Sequence, residues 1–296
     1  MAENRGPWTV RRVLEWMQGF FTRKAVDSPR LSAELLVAHV LKIPRIKIYT
    51  DHERPLSDTE LTTLRALVQR AGEHEPIAYL TGIAHFFNLE FQVTRDTLIP
   101  RPDTETLVEN VLQLSRNEPG FASPRILDLC TGSGCIALAI LSRLKNATAV
   151  ATDLSPEAIN VAQANATRLQ LQDRTTFLTG DLFDALDGTA HGQPFDLIVS
   201  NPPYIPTSTI DTLDRNVRDY EPRLALDGGL DGLTVVRRIL AGAAERLTPV
   251  GRLYIEIAYD EGAATLGEAR GIPGLTDPRI LKDHAGHDRV FTAKRG

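Results

Sequence analysis

The residue types that narrow the chemistry most are Asn201-Pro202-Pro203-Tyr204. Two successive prolines remove two backbone donors and fix the chain, which leaves the Asn201 side-chain oxygen and the Pro202 carbonyl as acceptors with few local competitors. Such a pair suits a planar NH2 group. With both amide protons held, the nitrogen lone pair can face an electrophilic methyl while the Tyr204 ring covers the substrate plane. The bland alternative is a proline-rich turn after a strand. A second segment, Asp128-Leu129-Cys130-Thr131-Gly132-Ser133-Gly134, lies where a strand turns into a helix. Glycines there let the backbone approach a ligand, and the first strand of a doubly wound sheet is where nucleotide-like cofactors bind. Gly132, Gly134 and Ala137 satisfy G-x-G-x-x-G/A, so a dinucleotide stays open on this segment alone, as does a merely tight turn.

Asp153 stands 21 positions after Gly132, where a carboxylate can accept both hydroxyls of a ribose. Nicotinamide dinucleotides and S-adenosylmethionine both carry an adenosine ribose, so Asp153 supports a cofactor without choosing between them. Its alternative use, capping the next helix, is already met by Ser155. The preference for methyl transfer therefore rests on Asn201 to Tyr204. No Ser/His/Asp arrangement argues for a covalent intermediate. The seven histidines show no H-x-x-x-H spacing, His284 and His287 read as a surface loop pair, and no metal is expected.

Elements that could position these residues follow from the periodicity. Thr9 can cap a helix with Val10, Val13, Leu14 and Met17 on one face. Ser28-Pro29 starts another, with Leu31, Leu35, Leu36 and Val40 as its buried stripe. Ser57 to Glu60 is a capping box ahead of Leu61, Leu64, Leu67 and Val68. Residues 86–93 suit a hairpin or extended connector, and the prolines flanking Arg101 hold the next stretch extended. Beyond residue 104, strands over 125–129, 149–152, 175–178, 195–200 and 252–258 alternate with helices over 135–144, 156–169 and 233–247. That alternation predicts a parallel sheet covered on both faces. Strands over 279–282 and 289–293 predict an antiparallel edge.

Composition bounds the class. The chain has 296 residues, 42% hydrophobic and 24% charged, with formal charge -5, which is ordinary globular composition with room for two domains. Residues 1–80 carry 12 Lys+Arg against 10 Asp+Glu and are mildly basic, while the remainder is acidic. Charged Arg5, Arg11, Arg12, Glu15, Arg23 and Lys24 interrupt the first thirty positions, so no secretory signal is expected, nor a membrane span. Cys130 and Cys135 form no disulfide framework, so a cytoplasmic setting is expected. The acidity disfavours direct nucleic-acid binding.

With these residues in place, the chain resembles a known family. Asn-Pro-Pro-Tyr together with the Gly132 and Gly134 segment resembles S-adenosylmethionine-dependent methyltransferases acting on planar nitrogens. More narrowly, Glu75-Pro76-Ile77-Ala78-Tyr79-Leu80-Thr81-Gly82, Leu98-Ile99-Pro100-Arg101-Pro102-Asp103-Thr104-Glu105 and Asp288-Arg289-Val290 resemble the bacterial glutamine-N5 methyltransferases of peptide chain release factors. The resemblance implies an α/β fold: a small N-terminal helical bundle (1–84) that docks substrate, with a stability cap on the sheet as the alternative reading, a hairpin linker (85–103) and a Rossmann-like class I methyltransferase domain (104–296). That domain would hold a mostly parallel seven-stranded sheet with an antiparallel edge. It further implies that Cys130, Thr131, Gly132, Ser133 and Gly134 wrap the methionine end of S-adenosylmethionine, with Asp128 nearby. Asp153 would hold the ribose, Asp181, Leu182 and Phe183 would flank the adenine, and Asn201 would touch both cofactor and substrate. Asn201, Pro202, Pro203 and Tyr204 would bind the glutamine of the Gly-Gly-Gln loop, Asn201, Pro202 and Tyr204 being the catalytic group. Arg101 is a candidate contact at the mouth of the site, with a structural pairing to Asp or Glu as its alternative. Cys130 departs from the glycine frequent at its position. The segment after Glu256 lacks the family's Gly and Gln, which leaves that strand end outside the expected site. Rival expectations are a ribosomal-protein glutamine, an adenine N6 position, or a non-catalytic adaptor.

Overall fold

Helix α1 (Val10–Arg23) opens on Thr9, whose hydroxyl accepts from the Arg12 N–H at 3.4 Å. The computed structural model describes residues 7–296, so Arg5 lies outside the described residues. Helix α2 (Pro29–Leu41) begins at the expected proline, but Ser28 is not a side-chain cap: its backbone is left-handed, with φ 45°. The buried stripe is also rotated. Leu31 is exposed, and Ala33, Leu36 and Val37 are buried, because the same face carries the buried Glu34, held by Arg30 and Tyr49. Both halves of the capping box form at α3 (Asp58–Gly72). Helix α4 (Ile77–Thr81) follows Glu75, a buried carboxylate gripped in a fork by Arg70 at 2.7 and 2.8 Å.

Two compact units are present. One holds the described residues through Ile83 together with Asp214–Tyr220, and the other holds Ala84–Leu213 and Glu221–Gly296. The first unit therefore includes a short helix from far along the chain, α8 below, which no sequence signal placed there. A hairpin of β1 (Ile83–Phe86) and β2 (Leu89–Gln92) turns at Phe87 and Asn88. Both have positive φ, 51° and 60°, as a two-residue turn matched to strand twist requires.

The second unit continues with α5 (Glu105–Asn117), β3 (Arg125–Leu129), α6 (Cys135–Arg143), β4 (Thr148–Asp153), α7 (Pro156–Arg168), β5 (Thr175–Thr179) and β6 (Phe195–Ser200). After α8 (Arg215–Arg218) come α9 (Thr234–Arg246), β7 (Leu247–Glu256), α10 (Gly262–Ala269), β8 (Leu275–Lys282) and β9 (Asp288–Arg295). Helices α5, α8 and α10 were not anticipated, and Leu247 begins a strand where the end of a helix was expected. The seven-stranded sheet has the order β5-β4-β3-β6-β7-β9-β8. Its first five strands are parallel, and β9 runs antiparallel to β7 and β8. This is the mostly parallel sheet with an antiparallel edge, its two faces buried by separate apolar cores. Strand order reverses at β3, which opens a crevice beyond the carboxyl ends of β3, β4 and β6. Among the described residues no helix is long and apolar enough to cross a membrane.

Candidate functional site

The glycine segment leaves β3 through three left-handed residues, Cys130 (φ 57°), Gly132 (φ 54°) and Gly134 (φ 80°). Cys130 thus stands where glycine is the unstrained choice, which is the physical content of its departure from the family. Two carboxylates hold the loop. Fully buried Asp128 accepts through Oδ2 from the Thr131 hydroxyl at 2.7 Å and the Ala137 N–H at 3.2 Å. Its Oδ1 has no hydrogen-bond partner among the described residues, and burial pushes its pKa up to about 7. Asp153 accepts from the Gly132 N–H at 2.8 Å and the Ser155 N–H at 2.9 Å. Burial raises it too. Capping of α7 falls to Ser155, which accepts from the Ala158 N–H. Asn165 of α7, fully buried, ties β2 to the same loop by bonding Gln92 on both its N–H and carbonyl and the Ser133 carbonyl.

A cavity of about 340 Å³ opens over this loop. Of the expected site residues it brings together Arg101, Cys130, Thr131, Gly132, Ser133, Asp153, Asp181, Leu182, Asn201 and Pro203. Asp128 lies beneath the loop, and Gly134 turns toward Leu138 and Ala162. Phe183 departs from its expected place: its ring is in the core and leaves no room for a Cβ at Gly242. Asp181 is held by Arg238 at 2.9 Å. Ile136, Leu154 and Val235 add apolar wall. Arg101 lines the cavity and also pairs at 2.5 Å with buried Glu221, which takes the Ile99 N–H as well. The structural alternative weighed for Arg101 is therefore present.

The 201–204 segment is held from several elements. Asn201 is half-buried, and its Nδ2 donates to the Thr104 hydroxyl at 3.3 Å. Pro202 is buried. The Tyr204 hydroxyl donates to Glu256 Oε1 at 3.3 Å, and burial holds that phenol neutral. The Tyr204 backbone passes so close to Gly228 that a Cβ there would sit 2.7 Å from the Tyr204 Cα. Glu256, at the end of β7, is fully buried and pushed up to about 7 by that burial. Sequence reasoning missed Glu256, Thr104 and Glu221. Thr104 sits inside a recognised motif, and Glu256 is masked because Ile257 and Ala258 come after it in place of the family's Gly and Gln. Glu221 carries no local signal, being 120 positions from its partner. Asp103, beside Thr104 in the same recognised motif, pairs at 3.0 Å with Arg289 of the Asp288 to Val290 motif.

Comparison with known proteins adds two family matches and a set of full-length relatives. Residues 12–82 match a model described as the PrmC N-terminal domain, and residues 103–231 match the methyltransferase small domain. A release factor glutamine methyltransferase of Rhodopirellula baltica is 41% identical, covering 100% of both chains. One of Geobacter sulfurreducens is 42% identical with the same coverage, and one of Moorella thermoacetica is 43% identical over 97% of this chain and 99% of its own. Among solved structures, the hMettl16 catalytic domain in complex with the MAT2A 3'UTR hairpin 6 superposes with a TM-score of 0.55 at 18% identity. That match covers 81% of this chain and 82% of the other and speaks to the fold alone.

Proposed function

We propose, for a chain that belongs to the release factor glutamine methyltransferases, that it methylates the side-chain amide nitrogen (N5) of the Gly-Gly-Gln glutamine in peptide chain release factors. The methyl donor is S-adenosylmethionine, the setting is cytoplasmic, and the process served is translation termination. Direct binding of nucleic acid is not part of this reading. The helical unit, with its own family match over residues 12–82, is read as the docking body for the release factor.

The residues present fit this cofactor. Nothing lies within 4 Å of where a Gly132 Cβ would point, so that backbone borders open cavity. Carboxylates of Asp153 and Asp181 face a space also walled by Ile136, Leu154, Leu182 and Val235. Acceptors beside an apolar slot suit a cationic ligand with hydroxyls and a flat ring. When bound, the cofactor supplies a methyl activated by its sulfonium. Cys130 to Ser133 would hold its methionine end, Asp153 its ribose through lone pairs left after two backbone bonds, and Leu182 its adenine.

The observation that carries the reading is the orientation of Asn201. One N–H of its NH2 is donated to Thr104, which directs the amide nitrogen to that side and leaves the Oδ1 lone pairs available to a substrate in the cavity. An amide nitrogen is a poor nucleophile because its lone pair is delocalised, so in-line placement must do most of the work. Asn201 Oδ1 and the Pro202 carbonyl would accept the two N–H groups as positive charge develops on nitrogen, and Tyr204 would cover the amide plane. The proton becomes acidic only as the new bond forms and can leave late to water.

The test is incubation with isotopically labelled S-adenosylmethionine and, separately, release factor, large-subunit ribosomal protein or DNA, followed by peptide mass spectrometry. A methyl group on the Gly-Gly-Gln glutamine is expected. Label appearing only in ribosomal protein or DNA would overturn the assignment.

A further inference from the structure

A closed circuit of bonds runs from the acceptor segment through two other stretches of the cavity wall and back. Asn201 Nδ2 donates to the Thr104 hydroxyl at 3.3 Å, and the Arg101 carbonyl takes the Thr104 N–H at 3.2 Å. The Arg101 guanidinium and the Ile99 N–H both donate to the Glu221 carboxylate, at 2.5 and 3.3 Å. From Glu221 the chain enters a tight turn, closed by the Ala225 N–H on the Pro222 carbonyl at 2.9 Å. The Leu226 carbonyl then takes the Ile205 N–H at 3.0 Å. Ile205 directly follows Tyr204, so the circuit ends where it began.

Two stretches of this circuit line the cavity, Pro100 and Arg101 in one, Pro222 and Leu224 in the other. Leu224 is 52% exposed and marks the rim, while Thr104 is buried. Prolines on either side of Arg101 and next to Glu221 stiffen both stretches. The Glu221 side chain is 1% exposed against 33% for Arg101. A carboxylate so buried is costly to part from its cation, so the two stretches are held at a set separation. At about 340 Å³ the cavity is near the small end of ligand pockets, ~300–1,000 Å³. On the function proposed above it takes a nucleoside cofactor and a glutamine side chain together, which leaves little width for a side chain on the residue before that glutamine.

We propose that Glu221 is a specificity-determining residue for the acceptor loop: by tying Ile99 and Arg101 to the turn after Pro222 it fixes the width of the rim, so that a glutamine preceded by glycine reaches Asn201 and one preceded by a larger residue is held back. The inference rests on the proposed function and deepens it. Glu221 acts through the segments it joins and does not itself touch the reacting amide.

Two acceptors test it, a release factor with its Gly-Gly-Gln loop and the same protein with alanine in place of the glycine next to the glutamine. Wild-type enzyme should show kcat/KM lower by about thirtyfold on the alanine loop, within the range for one added methyl group in a fitted site. Glu221→Ala releases Arg101 and Ile99 together. The gap between the loops should then narrow to about threefold, while kcat/KM on the glycine loop falls about tenfold, mainly through KM, and cofactor affinity stays within about threefold. General structural damage would lower both loops alike and leave the gap. An unchanged gap in folded Glu221→Ala, or equal use of both loops by wild type, overturns the proposal. Should Glu221→Ala fail to fold, Arg101→Gln decides, since it cuts the ion pair from its more exposed side and leaves the Ile99 bond. A narrowed gap there supports the proposal. Loss on both loops with the gap intact would make Arg101 a direct contact and overturn it. Wild-type protein that methylates neither loop sinks the parent reading and this one with it, whereas methylation of Gly-Gly-Gln with an unmoved gap sinks this one alone.

Discussion

The 128–134 loop and the 201–204 segment both follow a strand at the same end of one sheet, yet they are held in opposite ways. Apart from the bond from Asn165 of α7 to the Ser133 carbonyl, the loop is held by residues near it in sequence. Its left-handed residues, the Asp128 bonds three and nine positions away, and the Asp153 bond back to Gly132 all lie within one β-α-β stretch. The acceptor segment is held from a distance: by Thr104, 97 positions before it, by Glu256, 52 positions after it, and by the close approach of Gly228. A cofactor pocket can thus be carried by a short motif. On the function proposed above, the aim of the reacting amide would depend on two side chains and one close backbone approach from three other places in the chain.

Substitutions at the two regions should therefore separate aim from affinity, and the largest effect is expected at the distant support. In Gly228→Ala the new Cβ meets backbone atoms at 2.5 to 2.8 Å, from Gly232 and Tyr204, and backbone cannot yield as a side-chain tip can. Turnover should fall by about a hundredfold or more while cofactor affinity holds within about threefold. Methyl transfer close to wild type would mean that the Tyr204 backbone position is not critical. The loop should show the converse. Asp153→Ala removes the acceptor for two backbone N–H groups, so it should weaken cofactor binding by about tenfold or more and cost about 1–3 kcal/mol of stability. Calorimetry checks both, and unchanged affinity would remove the ribose role.

The smallest effect is shared by both regions. Asp128 and Glu256 are each raised by burial to about 7, from ordinary values of 3.8 and 4.5. Between the ordinary and the raised value the folded protein binds more protons than the unfolded chain, so stability falls as pH rises through that window. The melting temperature should drop between pH ~5 and pH ~8, and drop less in Asp128→Asn, by scanning calorimetry. An equal decline in the variant would show that Asp128 does not titrate there.

The same contrast explains what was legible in the sequence. Strand β3, the glycine loop, Asp153 and the Ser155 cap follow local rules of periodicity, left-handed turns and capping, and they stand where those rules put them. The parallel sheet and its antiparallel edge follow from alternation of strand and helix. Phe183 was misread because its motif position says nothing of which way the ring points, and packing against α9 turned it into the core. Leu31 was misread because a leucine stripe competes with the buried Glu34 and its partners for the same helix face. Glu256 and Glu221 were hidden for another reason. A buried carboxylate is recognised by its partner, and those partners lie 52 and 120 positions away.

The central claim is that Asn201 aims the substrate while the glycine loop holds the cofactor. Single-turnover methyl transfer by Asn201→Ala at saturating S-adenosylmethionine, with release factor as acceptor, tests it most directly. The account predicts a rate lower by roughly a hundredfold, as for loss of one polar contact to the developing charge. A rate near that of wild type would contradict it.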